Sequence, residues 1–187
     1  NAGSSSLKFA LFEPGAAPVA GPKGIIDETF SAPRMITKDP SGRQTSERMF
    51  PKAMPFPELV REVINWAEDQ YKATLGAVGH RVVHGGSQFT APQIVSEKLL
   101  ADLDALVALA PLHEPHNIAP MRYLMECNPN LPQIACFDTS FHRTMPVTAT
   151  RFALPLHFEE EGVRRYGFHG LSYEYIAERL RQIAPEC

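Results

Sequence analysis

Apolar positions recur along this chain in two rhythms. The run Leu7-Lys8-Phe9-Ala10-Leu11-Phe12, closed by Pro14-Gly15, is the pattern of a strand entering a turn. Residues 24–30 and 34–38 read as two more strands, with a turn at Ser41-Gly42, and Pro51, Pro55 and Pro57 then break the pattern. The period changes to that of a helix at Leu59, Val60, Val63, Ile64, Ala67 and Tyr71, with Pro57 in a first turn that does not need its N–H. Residues 77–83 read as a buried strand stopped by Gly85-Gly86. Ser96 is placed to cap a second helix carrying Leu99, Leu100, Leu103, Leu106, Val107 and Ala110, ended by Pro111. Ile118, Met121, Leu124 and Met125 mark a shorter helix. Residues 133–137 form another strand with Asp138 at its C-terminal end. The stretch from about 144 to 165 bears prolines and reads as an irregular connector. Ser172 is expected to cap a last helix carrying Tyr175, Ile176, Ala177, Leu180 and Ile183.

Strands giving way to an alternation of strands and helices predict an α/β domain, a mixed sheet flanked by helices. In such sheets ligands collect at the carboxyl ends of the strands. Arg81, Asp138 and the turn before Leu7 all fall near strand ends.

Composition narrows the picture. With 187 residues, 44% of them hydrophobic and 21% charged, the chain suffices for one domain, or one and a piece of another, with a core that needs no metal or disulfide. A net charge of −3 and a pI near 6.2 argue against a nucleic-acid binder working by bulk charge and against a polybasic membrane anchor. Cys127, Cys136 and Cys187 are odd in number and form no Cys-x-x-Cys, so they read as reduced thiols. No apolar run approaches the ~18 residues of a membrane span, and no signal segment opens the chain. The expectation is a soluble, cytoplasmic protein. The start at Asn1 without an initiator Met, and the end just after a helix-like stretch, suggest a fragment.

Five constellations carry candidate chemistry. In Asn1-Ala2-Gly3-Ser4-Ser5-Ser6-Leu7-Lys8, a tight turn full of N–H and O–H donors suits phosphate oxygens, with Lys8 adding a point charge; the alternative is an ordinary polar turn. It lacks a P-loop ending, and no Gly-x-Gly-x-x-Gly occurs anywhere. In Gly79-His80-Arg81-Val82-Val83-His84-Gly85-Gly86, period two puts His80, Val82 and His84 on one face and Arg81 and Val83 on the other. An Arg in an apolar strand must meet an anion. It is either a receptor for a small carboxylate or half of an internal pair with Asp138. Pro111-Leu112-His113-Glu114-Pro115-His116-Asn117 holds two histidines and a carboxylate, but the spacing and the two prolines disfavour a shared metal. Asp138 in Phe137-Asp138-Thr139 suits a Mg²⁺ or water ligand, or a helix cap. In Arg164-Arg165-Tyr166-Gly167-Phe168-His169-Gly170, two glycines would let the backbone approach a ligand and set His169 near a helix N-terminus; the alternative is a linker turn.

Taken in order, Asn-x-Gly-Ser-Ser-Ser-x-Lys, His-Arg-Val-Val-His-Gly-Gly, Pro-Leu-His, Phe-Asp-Thr and Arg-Arg-Tyr-Gly-Phe-His-Gly resemble the acetate kinase family with its propionate and butyrate kinase relatives, from Asn1 to about Ile176. The resemblance implies the actin/hexokinase/Hsp70-type ATPase fold, two α/β domains closing on a cleft. Residues 1–143 would be the first domain, its first strand truncated, and 144–187 a connector and helix leading into an absent second domain. It implies a phosphate turn of Asn1, Ser4, Ser6 and Lys8, with Asn1 near Mg²⁺ or Mn²⁺. Arg81 would bind the substrate carboxylate, and Val83, Leu112 and Phe168 would line a methyl pocket. Asp138 would be the active-site carboxylate, and His113 and His169 would contact the transferring phosphoryl group. The implied reaction is reversible phosphorylation of acetate by ATP in a homodimeric enzyme. Acetate is ionised at neutral pH and needs no general base, so Asp138 is expected to act through Mg²⁺ and positioning.

Three other readings stand beside it. One is propionate kinase. Another is a non-catalytic nucleotide-binding module of the same fold, which would have no use for Arg81, Val83 and His169. The third is a hydrolase using His113 and His116, disfavoured by spacing. The chain departs from the family pattern at Leu171 and Tyr173, where Thr and His are usual, and at Glu114-Pro115-His116, where Asn-Pro-Pro is usual. The family's adenosine site, a second Arg and a Mg²⁺-binding Glu would lie beyond Cys187.

Overall fold

A computed structural model describes residues 1–15 and 18–186, so the thiol expected at Cys187 lies outside the described residues. Strands β1 (Ser6–Glu13), β2 (Val19–Asp27), β3 (Arg34–Lys38) and β4 (Gln44–Met49) form an antiparallel meander in that order. The register sets Leu7 against Ile26 and Ile26 against Met35, which gathers them on one face. Helix α1 (Phe56–Tyr71) covers that face with Leu59 and Val60, and Trp66 meets the edge of Phe9 at 5.0 Å. Two of these strands differ from expectation. β2 begins at Val19, five residues earlier than expected, and ends at Asp27, because Glu28 takes a left-handed conformation (φ 52°) that turns the chain before Thr29 and Phe30. β4 was not foreseen: all six of its residues are exposed, so an edge strand of Gln, Thr, Ser, Glu, Arg and Met shows no hydrophobic alternation.

The second sheet has β5 (Val78–Val82) parallel to β7 (Gln133–Phe137), and β7 antiparallel to the two-residue β6 (Gln93–Ile94). Helices α2 (Glu97–Asp104) and α3 (Glu114–Cys127) pack Leu99, Leu100, Leu103, Ile118 and Met121 against Val82, Ala135 and Phe137. Ser96 caps α2 as expected, its Oγ accepting the Leu99 N–H at 3.2 Å, but α2 stops at Asp104 and a separate 3₁₀ turn follows at Val107–Leu109. α3 is longer than expected, beginning at Glu114, four residues before Ile118. Pro115 sits in its first turn, where the N–H is not needed, and the buried Pro120 is carried mid-helix among Ile118, Met121 and Leu124. Among the described residues no ladder joins the two sheets; β1 and β5 instead border one apolar cavity of about 800 Å³, walled by Val60, Val63 and Ile64 of α1.

The expected connector contains two short helical pieces, α4 (Val147–Thr150) and α5 (Leu156–Glu160). The last helix, α6 (Gly170–Ile183), starts two residues before Ser172, which therefore does not cap it; His169 occupies that place. Of the apolar residues expected in α6, Tyr175, Ile176, Leu180 and Ile183 stand exposed. Among the described residues no helix is long and apolar enough to cross a membrane.

Candidate active site

The first wall of the site is a hairpin. Asn1 and Lys8 exchange two backbone hydrogen bonds of 2.9 Å, Ala2 bridges Leu7, and the Gly3 N–H closes on the Ser6 carbonyl at 2.9 Å. This leaves Ser4 and Ser5 exposed at the tip of a tight turn.

The second wall is the end of β5. His80, Val82 and His84 point into the core and Arg81 and Val83 to the other side, as the period-two reading required. Both histidines are structural. His80 Nε2–H donates to Gln133 Oε1 at 2.9 Å, and burial pushes its pKa down to about 4. His84 Nδ1 accepts the Gly86 N–H at 2.9 Å, and burial lowers its pKa too. The His84 ring meets the edges of Tyr166 (4.5 Å) and Phe168 (5.7 Å), seating the loop that carries His169.

The third wall is the 3₁₀ segment Asp138–Thr144 and the start of α6. Asp138 is fully buried and is not a cap; its carboxylate takes both Nε and Nη2 of Arg81, the latter at 2.6 Å. The internal Arg–Asp pair weighed from the sequence therefore exists. Arg81 Nη2 also donates to His169 Nδ1 at 3.2 Å. Arginine only donates, so Nδ1 is the acceptor and the neutral ring carries its proton on Nε2. His169 is left-handed (φ 57°, ψ 22°), a conformation costing a non-glycine residue roughly 1–2 kcal/mol, held here at the rim of the cleft. His142 Nε2–H donates to the Phe168 carbonyl at 2.9 Å and fixes the preceding residue. The two glycines serve a packing purpose: a Cβ at Gly167 would strike the His142 ring, and one at Gly170 the carbonyl oxygen of Asp138. The backbone they bring close is that of Asp138–Thr144.

One cavity of about 470 Å³ gathers Asn1, Ser4, Ser6, Lys8, Arg81, Val83, His113, Phe168 and His169. The structure thus brings together nearly every residue singled out from the sequence. Asp138 lies beneath it through Arg81. Leu112 is the exception: it is 73% exposed and is not in the lining, where Leu109 and Ala110 stand instead. His116 tilts against Phe30 (5.4 Å), away from His113's cavity, and no cluster of three His, Cys, Asp or Glu suited to a metal occurs among the described residues.

Two buried residues at the cavity carry no role assigned from the sequence; Asn117 belongs to its lining and Glu114 does not. Glu114 is wholly buried with neither carboxyl oxygen hydrogen-bonded, and burial pushes its pKa up to about 7, the nearby His84 N–H offsetting part of the effect. Asn117 is buried three residues on; its Oδ1 accepts the Val83 N–H at 2.8 Å and its Nδ2 donates to the Ala2 carbonyl at 2.6 Å. The signal available in the sequence was a polar residue set in the apolar stripe of Ile118, Met121 and Leu124.

The mixed α/β frame of sheet and flanking helices is that of the first domain of an actin/hexokinase/Hsp70-type fold, and solved structures agree. A propionate kinase from Francisella tularensis superposes with a TM-score of 0.86 at 31% identity, over 97% of this chain and 47% of that one. Porphyromonas gingivalis acetate kinase gives 0.83 at 30%, over 98% and 47%. The chain belongs to the Acetokinase family, whose model matches residues 1–186. Among curated relatives, the acetate kinase of Rhodopseudomonas palustris is 46% identical over 100% of this chain and 48% of its own length. That of Deinococcus radiodurans is 40% identical over 98% and 46%. The chain spans about half the length of these relatives.

Proposed function

We propose that the full-length protein carrying these residues transfers the γ-phosphoryl group of ATP directly and reversibly to acetate, giving acetyl phosphate and ADP. The observation that supports this most is the meeting, in one cavity, of a donor-rich turn (Asn1, Ser4, Ser6, Lys8) with an Arg81–His169 contact backed by a buried Asp138. Phosphoryl transfer asks the protein for positioning and charge stabilisation, and little else.

In this reading Arg81 receives the acetate carboxylate. Nε and Nη2 serve Asp138, while Nη1 has no side-chain or backbone acceptor among the described residues and remains for the substrate. Val83 and Phe168 supply the apolar wall for the methyl group, with Leu112 completing it on closure. Lys8, Ser4 and Ser6 hold phosphate oxygens. His113 and His169 Nε2–H donate to the phosphoryl oxygens as charge develops. Asp138 keeps Arg81 aimed. The neutral oxygens of Asn1 and the serines suit Mg²⁺ or Mn²⁺, which bind mainly through substrate phosphates; the ion would supply charge neutralisation. The proposal includes a domain boundary near 143/144, residues 144–187 leading into a second domain that brings the adenosine pocket, a homodimeric cytoplasmic enzyme, and no nucleic-acid or membrane partner.

The test is a coupled ADP-release assay with ATP, Mg²⁺ and acetate. The full-length polypeptide should turn over, and residues 1–187 alone should not, because closure of two domains assembles such sites. Absence of acetate-dependent turnover in the full-length polypeptide, or full turnover by the isolated chain, would overturn the reading. A preference for propionate would keep the mechanism and change the substrate.

A further inference from the structure

We infer that Asn117 is a positioning residue that locks the carboxylate-binding end of β5 to the phosphate turn, so that one side chain sets both halves of the site; the inference rests on the reading of the site just given. Asn117 is 3% exposed and spends both ends of its amide on backbone that no strand serves. The β5–β7 ladder ends with Val82 opposite Phe137, so the Val83 N–H lies past it and goes to Asn117 Oδ1. On the other side, Asn1 and Lys8 form the hydrogen-bonded pair of the hairpin, so Ala2, next along, turns its carbonyl away from β1 and toward Asn117 Nδ2. The following backbone is held in the same manner, the Gly85 N–H donating to Thr139 Oγ1 at 2.9 Å. Residues 83–85 are therefore clamped by side chains from α3 and from the Asp138–Thr144 segment.

The consequence is energetic coupling. Val83 lies two residues from Arg81, and Ala2 sits between Asn1 and the Gly-Ser turn. A carboxylate that orders the first and a phosphate that orders the second act on opposite ends of one rigid amide. Each should therefore tighten the binding of the other by the same factor. Among side chains of this length, Asn offers both a donor and an acceptor at every pH, and Asp only when protonated.

Asn117→Asp in the full-length polypeptide isolates the donor half. The acceptor for Val83 stays, and the ionised carboxylate puts an oxygen against the Ala2 carbonyl; protonation restores an O–H donor. At pH 8 the KM values for acetate and for ATP should rise together by roughly tenfold, within the usual range of coupling energies. Relative to the unsubstituted protein at each pH, both should recover as pH falls toward 5.5. A melting curve reads fold integrity separately. Amide exchange on Asn117→Ala supplies a measurement independent of turnover: Val83 should lose protection by at least about tenfold while Val82 and Ala135 keep theirs. KM values that do not move, that move for acetate alone, or that do not recover on acidification overturn the inference, as does unchanged exchange at Val83. If Asn117→Ala does not fold, the Asp variant decides. If the unsubstituted polypeptide shows no acetate-dependent turnover, the parent reading has failed, and the exchange data still report whether the strut exists.

Discussion

Glu114→Gln should change how the stability of this chain responds to pH while changing little in its shape. The Glu114 carboxyl is fully buried and unpartnered, with a folded pKa raised from 4.5 to about 7. The folded state then holds a proton that the unfolded state has released between about pH 4.5 and 7, so stability falls with rising pH across that window. The whole excursion amounts to roughly 3 kcal/mol at 1.36 kcal/mol per unit. His80 acts in the opposite sense. Its pKa falls from 6.5 to about 4 in the folded state, so stability is lost as pH drops from 6.5 toward 4, by a similar amount. Between about pH 4.5 and 6.5 the unfolded chain carries one proton on His80 and the folded chain one on Glu114. The proton counts match, so these two groups together leave stability nearly flat. Glu114→Gln removes one side of that balance: its stability should rise with pH by about 1.4 kcal/mol per unit through this window, and the difference from the unsubstituted chain should grow toward pH 7. Its buried amide adds a constant cost of about 1–3 kcal/mol for unsatisfied donors, which displaces the curve without tilting it. Urea unfolding at four pH values from 4.5 to 7.5 reads the slope. Parallel curves for the two proteins would refute the reasoning.

Three further outcomes are expected. Arg81→Lys in the full-length polypeptide keeps the charge but loses the forked contact, and kcat/KM for acetate should fall by roughly 2–4 kcal/mol of transition-state stabilisation; an unchanged value would remove Arg81 from substrate binding. Val83→Ala should shift the kcat/KM ratio of propionate to acetate upward, by no more than about 10–200-fold for the space gained, and a ratio that stays put places Val83 outside the acyl pocket. Gly170→Ala sets a methyl group against the Asp138 carbonyl and should cost about 1–3 kcal/mol by thermal unfolding, whereas an unchanged Tm would mean that α6 is not seated on Asp138–Thr144.

Elements whose residues face one environment per side were legible in the sequence. The α1 stripe, the β7 run and the Ser96 cap all carry local signals, and each lies where the pattern places it. β4 carried none, because an edge strand open to solvent is polar on both faces and is recognised only by its pairing with β3. The start of α3 is not legible because its first turn, Glu114 to Asn117, holds no apolar residue to extend the period of Ile118, Met121, Leu124 and Met125. The Gly167 and Gly170 pair was read toward a ligand, since sequence shows that backbone comes close there but not to what. In the site, short motifs exposed the residues that reach into the cavity. Asn117 stayed hidden because its partners are the backbone groups of Ala2 and Val83, which no residue type marks, and Glu114 because its buried carboxyl has no hydrogen-bond partner at all. α6 shows the same limit: its apolar residues are plain in the sequence, and the described residues leave Tyr175, Ile176, Leu180 and Ile183 uncovered.

The observed pairing of Arg81 with Asp138 does not exclude the proposed role of Arg81 as substrate receptor. A guanidinium on a strand with a 28% exposed side chain would be expensive to hold without an anion, and the fully buried Asp138 carboxylate would be more so without a cation. Their pairing neutralises both before any ligand arrives. It also uses only one edge of the guanidinium and fixes the plane of the rest, so the remaining N–H groups face the cavity in one orientation. A carboxylate entering beside Val83 therefore meets a set of directed donors whose net charge is already largely offset. On the proposed reading, such a site would bind a small anion weakly and in one pose. Weak ground-state binding suits phosphoryl transfer, because the strongest contacts are then left for the charge that develops on the transferring group.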